Sequence, residues 1–179
     1  CLEQLLGQLL PELDARYGPP ANPDGSRAEF AIIGLGKLGG RELNFSSDID
    51  LMFLYSEDGE TRGGGSEGGS VANQVYFSRL AERLLKEATE PTEEGFLYRI
   101  DTRLRPDGAS GVLAMSLLGY ENYYARRGEL WERQMLIKAR TCAGSEHLGR
   151  HFLDRLRPFV YPGHFDLSPA DEIRRIKRR

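Results

Sequence analysis

The sequence predicts an α+β fold: a small mixed sheet with flanking helices and a helical C-terminal extension. Three observations lead there. FAIIGL (30–35) reads as a buried-type strand and DIDLMFLY (48–55) as a second strand, whose Ile49, Leu51 and Phe53 can face the core. Residues 71–89 and the chain from Leu117 onward carry apolar side chains at helical spacing. FLYRIDTRL (96–104) alternates with a period of two, as a third strand would. The order is therefore helix, strand, strand, helix, strand, then helices, with no internal repeat.

Each element has its own signal. Leu2, Leu5, Leu6, Leu9, Leu10 and Leu13 predict an N-terminal helix over 2–17, which Pro11 should bend or split. GPPANPDG (18–25) reads as a linker-like loop, and SEDGETRGGGSEGGS (56–70) as a mobile polar loop. In the helix over 71–89, Phe77, Leu80, Ala81, Leu84, Leu85 and Ala88 share one face. PTEEG and RPDGASG are turns, and VLAMS is a short extended piece. LLGYENYYARRG, ELWERQMLIKAR and HLGRHFLDRLRPF all read as helices, with Trp131 anchoring its helix to the core and Tyr120, Tyr123 and Tyr124 packing.

Composition bounds the function. With 40% hydrophobic and 28% charged residues, the chain resembles a soluble globular protein that can build a core. A net charge of −3 argues against a general nucleic-acid binder; RRIKRR (174–179) reads as a solvated helix face. Two cysteines, Cys1 and Cys142, form neither a zinc pattern nor a disulfide framework, so a reducing cytoplasm is the default. No signal peptide or membrane-length apolar run is present. A start at Cys1 and a stop within a basic helical pattern suggest a piece of something longer.

GLGKLGGRELNFSSDIDLMFLY (34–55) concentrates the chemistry. Gly34, Gly36 and Gly39 fit a dinucleotide fingerprint, with Glu57 near the place of a ribose-binding acid. Only the eight residues GRELNFSS separate Gly39 from Asp48, too few for the helical crossover that a parallel pair needs. A P-loop fails because Leu38, not Ser or Thr, follows Lys37. The third reading starts from Asp48 and Asp50, which as i and i+2 of a strand point to one face. Two carboxylates side by side repel each other unless a cation neutralises them. Mg²⁺ takes such carboxylates together with phosphate oxygens. Asp101 is the further carboxylate that a two-metal site needs; on its own, flanked by Arg99 and Arg103, it also reads as an ion pair. Gly36 and Lys37 can bring backbone N–H groups and positive charge to a phosphate. Ser46 and Ser47 can bond phosphate oxygens or cap the loop. Arg103 and Arg105 can hold phosphate or form ion pairs around the sheet.

The Gly turn followed about ten residues later by Asp-h-Asp-h resembles the polymerase β-type nucleotidyltransferase superfamily, although Lys37 stands where many members have Ser. GLGKLGGRELNFSSDIDLMFLY, YRIDTRLRPDGASGVL and LWERQMLIKAR, with the tail LRPFVYPGHFDL, resemble the glutamine synthetase adenylyltransferase family more closely. Those enzymes attach AMP to a tyrosine of glutamine synthetase and remove it, using two related domains. LNFSSDIDL, LWERQMLIKAR and LRPFVYPGHFDL look more like the N-terminal, de-adenylylating copy.

The resemblance implies a domain plan. Residues 1–25 form a helix and linker, 26–116 the nucleotidyltransferase domain, and 117–179 a truncated helical extension. It implies Asp48, Asp50 and Asp101 as ligands of two Mg²⁺ ions, and Gly36, Lys37, Gly39, Ser47, Arg103 and Arg105 as nucleotide- or phosphate-binding residues. Asp101 would act as base in an adenylylating relative. Implied partners are glutamine synthetase, ADP or ATP, phosphate, and the PII signal protein with its uridylylated form, in the cytoplasm, with neither nucleic acid nor membrane. ATP-dependent adenylylation and a non-catalytic nucleotide-binding fragment are the alternatives. Gly64–Gly68 spells a nucleophile-elbow pattern without its strand–turn–helix setting. His147 and His151, at i and i+4, lack the Glu of a zinc-protease helix and read as surface or packing residues.

Overall fold

The computed structural model describes residues 1–44, 47–64, 66, 68–90 and 99–163. Helix α1 (Leu2–Tyr17) buries Leu6, Leu9, Leu13 and Tyr17. It runs unbroken through Pro11, so the ring does not split it. Pro11 is exposed, while the leucine face packs on the core, and that burial outweighs the one hydrogen bond the ring removes. The loop that follows is not structureless: β1 (Pro20–Ala21) will pair with a later segment. Strand β2 (Phe30–Gly34) leads into α2 (Gly36–Gly39), a single turn, and β3 (Ile49–Tyr55) returns. β2 and β3 are antiparallel, Phe30 opposite Tyr55 and Gly34 opposite Leu51, which excludes the parallel crossover of a dinucleotide-binding unit.

β4 (Glu60–Thr61) pairs with β1 inside the stretch expected to be a polar loop. Helix α3 (Asn73–Thr89) is amphipathic as its spacing predicts. β5 (Ile100–Asp101) and β6 (Ala114–Ser116) both lie parallel to β3. The expected strand over 96–104 is seen only at β5; residues 96–98, the PTEEG turn, Gly65, Glu67 and RRIKRR lie outside the described residues. Helices α4 (Leu117–Arg127) and α5 (Leu130–Leu136) follow, then β7 (Arg140–Gly144) and α6 (Glu146–Val160). The helical reading of ELWERQMLIKAR holds only to Leu136, and β7 begins at Arg140. Its Thr141 and Ala143 are buried and alternate with half-buried neighbours, a strand pattern too short to stand out in sequence.

The main sheet runs β5-β3-β2-β7, with β6 sharing the β5 edge of β3. β7 is antiparallel to β2, with a register shift between Ile32 and Ile33. Strand alternation splits the core in two. Phe30, Ile32, Leu51, Phe53 and Tyr55 face α1 and α3, where Phe77 stacks on Phe30 and Tyr55 at centroid distances of 5.3 and 5.1 Å. Ala31, Ile33, Met52 and Leu54 face the α4–α6 layer. Helices thus cover both faces, which is why these strands read as unbroken apolar runs rather than alternating ones. Ser116 and Ser145 cap α4 and α6 by accepting from the N–H groups of Gly119 and Leu148. Trp131 is 37% exposed and donates to Glu129, so it does not anchor α5; buried Leu136 does.

Candidate active site

The site forms at the N-terminal end of β3. Asp48 precedes the strand, and Asp50 lies within it on the same side as Met52 and Leu54. β5 lies beside it in parallel, with Asp50 paired to Asp101. The N–H of Ile49 bonds the Arg99 carbonyl at 2.9 Å and holds this register. Two carboxylates on adjacent strands are thereby brought together across fifty residues of sequence.

The glycine turn closes on the same point. The Leu35 N–H donates to the Asp50 carbonyl at 2.9 Å. Gly36 has φ +51°, and a Cβ there would stand 3.1 Å from Asp50 Oδ2. Glycine is required both for the left-handed backbone and for the close approach to the carboxylate. Lys37 donates to the Ser47 hydroxyl at 3.3 Å, so these two expected phosphate contacts bond each other. Ser46 lies outside the described residues.

The electrostatics follow from this crowding. Burial raises the Asp50 carboxyl above the usual carboxylate range, and the negative charges of Asp101 and Asp48 push it further; Arg103 opposes them. Asp101 is held lower, chiefly by hydrogen bonds from Arg103. The Arg103 N–H donates at 2.8 Å and its guanidinium Nη2 at 2.5 Å. Arg99 Nε lies 2.7 Å from Asp48 Oδ1. Arg99 is the residue that sequence reasoning left out of the site. Its signal was its place beside Asp101 in the alternating segment.

Two expected phosphate ligands do other work. Gly39 is buried against the backbone of Lys138 and Gly34, where any Cβ would overlap carbonyl oxygens. Arg105 is also buried; its guanidinium donates to the carbonyls of Thr102, Ala109 and Gly111 and to the Thr102 hydroxyl. It shapes the loop from β5 to β6 and points its donors inward, so it is not placed to hold phosphate. His147 sits near Glu29 at 3.6 Å on the surface. A groove of about 680 Å³ among α4–α6, lined in part by Tyr124, Arg133 and Phe159, does not include Asp48, Asp50 or Asp101.

The donor set suits a hard divalent cation: carboxylate oxygens, two of them on neighbouring strands, beside a glycine turn. Among the described residues no three acidic, histidine or cysteine side chains converge closely enough to hold an ion as placed. Asp48 and Asp101 are each turned onto an arginine, and both lie close enough to Asp50 for their charges to act on it.

A mixed sheet covered by helices, with an Asp-x-Asp segment entering β3 beside a glycine turn, is consistent with the polymerase β-type nucleotidyltransferase fold. Residues 1–155 match the family model for glutamate-ammonia ligase adenylyltransferase, and the chain belongs to that family. It is similar to bifunctional glutamine synthetase adenylyltransferase/adenylyl-removing enzymes from Mannheimia haemolytica (47% identity over 92% of this chain and 17% of the relative), Hahella chejuensis (40%, over 99% and 18%) and Shewanella loihica (45%, over 91% and 17%). The chain thus spans less than a fifth of the length of these relatives. Among the described residues, no helix is long and apolar enough to cross a membrane.

Proposed function

We propose that this chain carries the de-adenylylating site of a glutamine synthetase-regulating enzyme. The observation that carries the reading is the Asp50–Asp101 pair held in register against the Gly36 turn. In the proposed reaction, a phosphate oxygen attacks the phosphorus of adenylyl-tyrosine. The bond from phosphorus to the tyrosine oxygen breaks. ADP leaves, and the phenolate, whose acid has a pKa of about 10, takes up a proton. The main barrier is that an anion must approach an anion, so positioning and charge dominate catalysis.

Asp48, Asp50 and Asp101 would hold Mg²⁺, two ions in this reading. The ions would neutralise charge on the attacking and leaving oxygens. Gly36 lets the backbone approach the phosphates, and Lys37 supplies charge beside them. The relatives' name covers both attachment and removal of AMP, which favours ATP-dependent adenylylation as the second reading. In either case glutamine synthetase is the protein substrate, and PII and its uridylylated form regulate the longer, cytoplasmic enzyme.

The test incubates the chain with adenylylated glutamine synthetase, Mg²⁺ and phosphate, and follows ADP. Asp50→Asn should abolish ADP formation while leaving the melting transition in place. AMP transfer from ATP onto unmodified glutamine synthetase, without ADP formation from the adenylylated form, would select the second reading. Full activity of Asp50→Asn would sink the site assignment.

A further inference from the structure

The acidic centre carries two arginines that occupy the oxygens a cation would use. Arg99 Nε lies 2.7 Å from Asp48 Oδ1. Arg103 meets Asp101 through its N–H at 2.8 Å, through Nε at 3.0 and 2.9 Å to the two oxygens, and through Nη2 at 2.5 Å. Asp50, between them, accepts no side-chain hydrogen bond among the described residues. In the Arg103–Asp101 pair the partners are unequally exposed, 78% against 22%, while the Arg99 and Asp48 side chains are both largely exposed, at 61% and 59%. The Arg103 guanidinium stands in solvent while the Asp101 side chain is partly buried beside β3, and Arg99 and Asp48 meet at the surface. Guanidinium groups also prefer the fork geometry of phosphate as readily as that of carboxylate.

We propose that Arg99 and Arg103 are exchange residues: they neutralise Asp48 and Asp101 until a phosphate group enters, then move to its oxygens and release the carboxylates to a divalent cation. This rests on the reading of the acidic centre as a phosphoryl-transfer site. Its consequence is a linkage. The arginines compete with the cation and cooperate with the anion, so cation and phosphate promote each other's binding, and by the same factor in each direction. It also explains why Arg99 and Arg103 flank Asp101 on the segment that brings it beside Asp48 and Asp50: the charge is balanced before and after ligands arrive.

The experiment titrates Mn²⁺ into the 179-residue chain by calorimetry, with and without inorganic phosphate, for wild type, Arg99→Gln, Arg103→Gln, Arg103→Lys and Asp50→Asn, with a thermal melt of each. Phosphate should tighten Mn²⁺ binding to the wild type by about 5-fold or more, the lower end of ordinary coupling. Arg103→Gln and Arg99→Gln should bind Mn²⁺ more tightly than wild type in the absence of phosphate and lose most of the coupling. Arg103→Lys, which keeps the charge but not the fork, should regain part of it. If Arg103 merely props Asp101 in place, Arg103→Gln will bind Mn²⁺ more weakly, and the proposal falls. Mn²⁺ binding that depends on Asp50 but is indifferent to phosphate overturns the exchange alone. A folded wild type that binds no Mn²⁺ overturns the phosphoryl-transfer reading and the exchange with it.

Discussion

Gly36 and Gly39 stand three residues apart and do different things. Gly36 has a left-handed backbone and brings the chain to within van der Waals reach of Asp50 Oδ2. A Cβ there adds the left-handed penalty, about 1–2 kcal/mol, and presses on the carboxylate. Gly36→Ala is expected to lower the melting point modestly and ADP formation severely. A variant that melts lower but turns over normally would separate the turn from the site. Gly39 serves packing against Lys138, so a pattern of glycines read from sequence as one phosphate cradle divides into one site residue and one packing residue. The same distinction holds for the arginines: Arg103 lies on the carboxylates, while Arg105 is consumed by its own loop. Sequence alone assigns both to phosphate, because the number of free donors is set by a fold that brings carbonyls of Ala109 and Gly111 around one guanidinium.

Elements were legible where burial imposed a period. The strands β2 and β3 and the helices α3, α4 and α6 follow from their apolar spacing. β7 did not, because five residues with one β-branched side chain make no period, and its place is set by pairing with β2. Pro11 acts in the opposite sense, since packing of the leucine face keeps α1 continuous. Pro11→Ala should raise stability by roughly 1–3 kcal/mol, up to the full helix-propensity difference; denaturant midpoints would check it, and no gain would mean the helix has already relaxed around the ring.

Helix α5 contains a second conflict. Glu132 is fully buried, and its carboxylate accepts the Glu129 N–H at 2.7 Å. Burial raises its carboxyl above the ordinary range, so the charged form is costly in the folded state. Below the unfolded value of about 4.3 both states hold the proton and nothing is lost. The destabilisation grows as pH rises past that value and levels off above the raised folded one. Glu132→Gln keeps an acceptor and cannot ionise. It should raise the melting temperature relative to wild type at pH 8 and not at pH 4; an equal gain at both would exclude the buried charge as the cause.

At the scale of the molecule, the sheet joins two cores whose partners come from distant parts of the chain. α1 belongs to the same core as α3 and the β2–β3 face, with Tyr76 donating to Asp14 at 2.7 Å between the two helices. Leu9, 1% exposed, sits in that core. Leu9→Ala is expected to cost 2–5 kcal/mol, read as a shift in the denaturant midpoint of one cooperative transition. A separate early transition would instead mean that α1 melts independently of the sheet.

Arg140 also ties the start of the site to the end of the sheet. Its guanidinium donates to the carbonyls of Leu38 and Gly39, about a hundred residues earlier, while β7 closes the edge of β2. During synthesis, Gly36, Asp50 and Asp101 therefore all emerge from the ribosome before the residue that fastens the glycine turn. A nascent chain cut off ahead of Arg140 has every carboxylate it needs and lacks the clamp that sets the turn against them. The acidic centre and its glycine turn reach their final arrangement late, when the last strand docks.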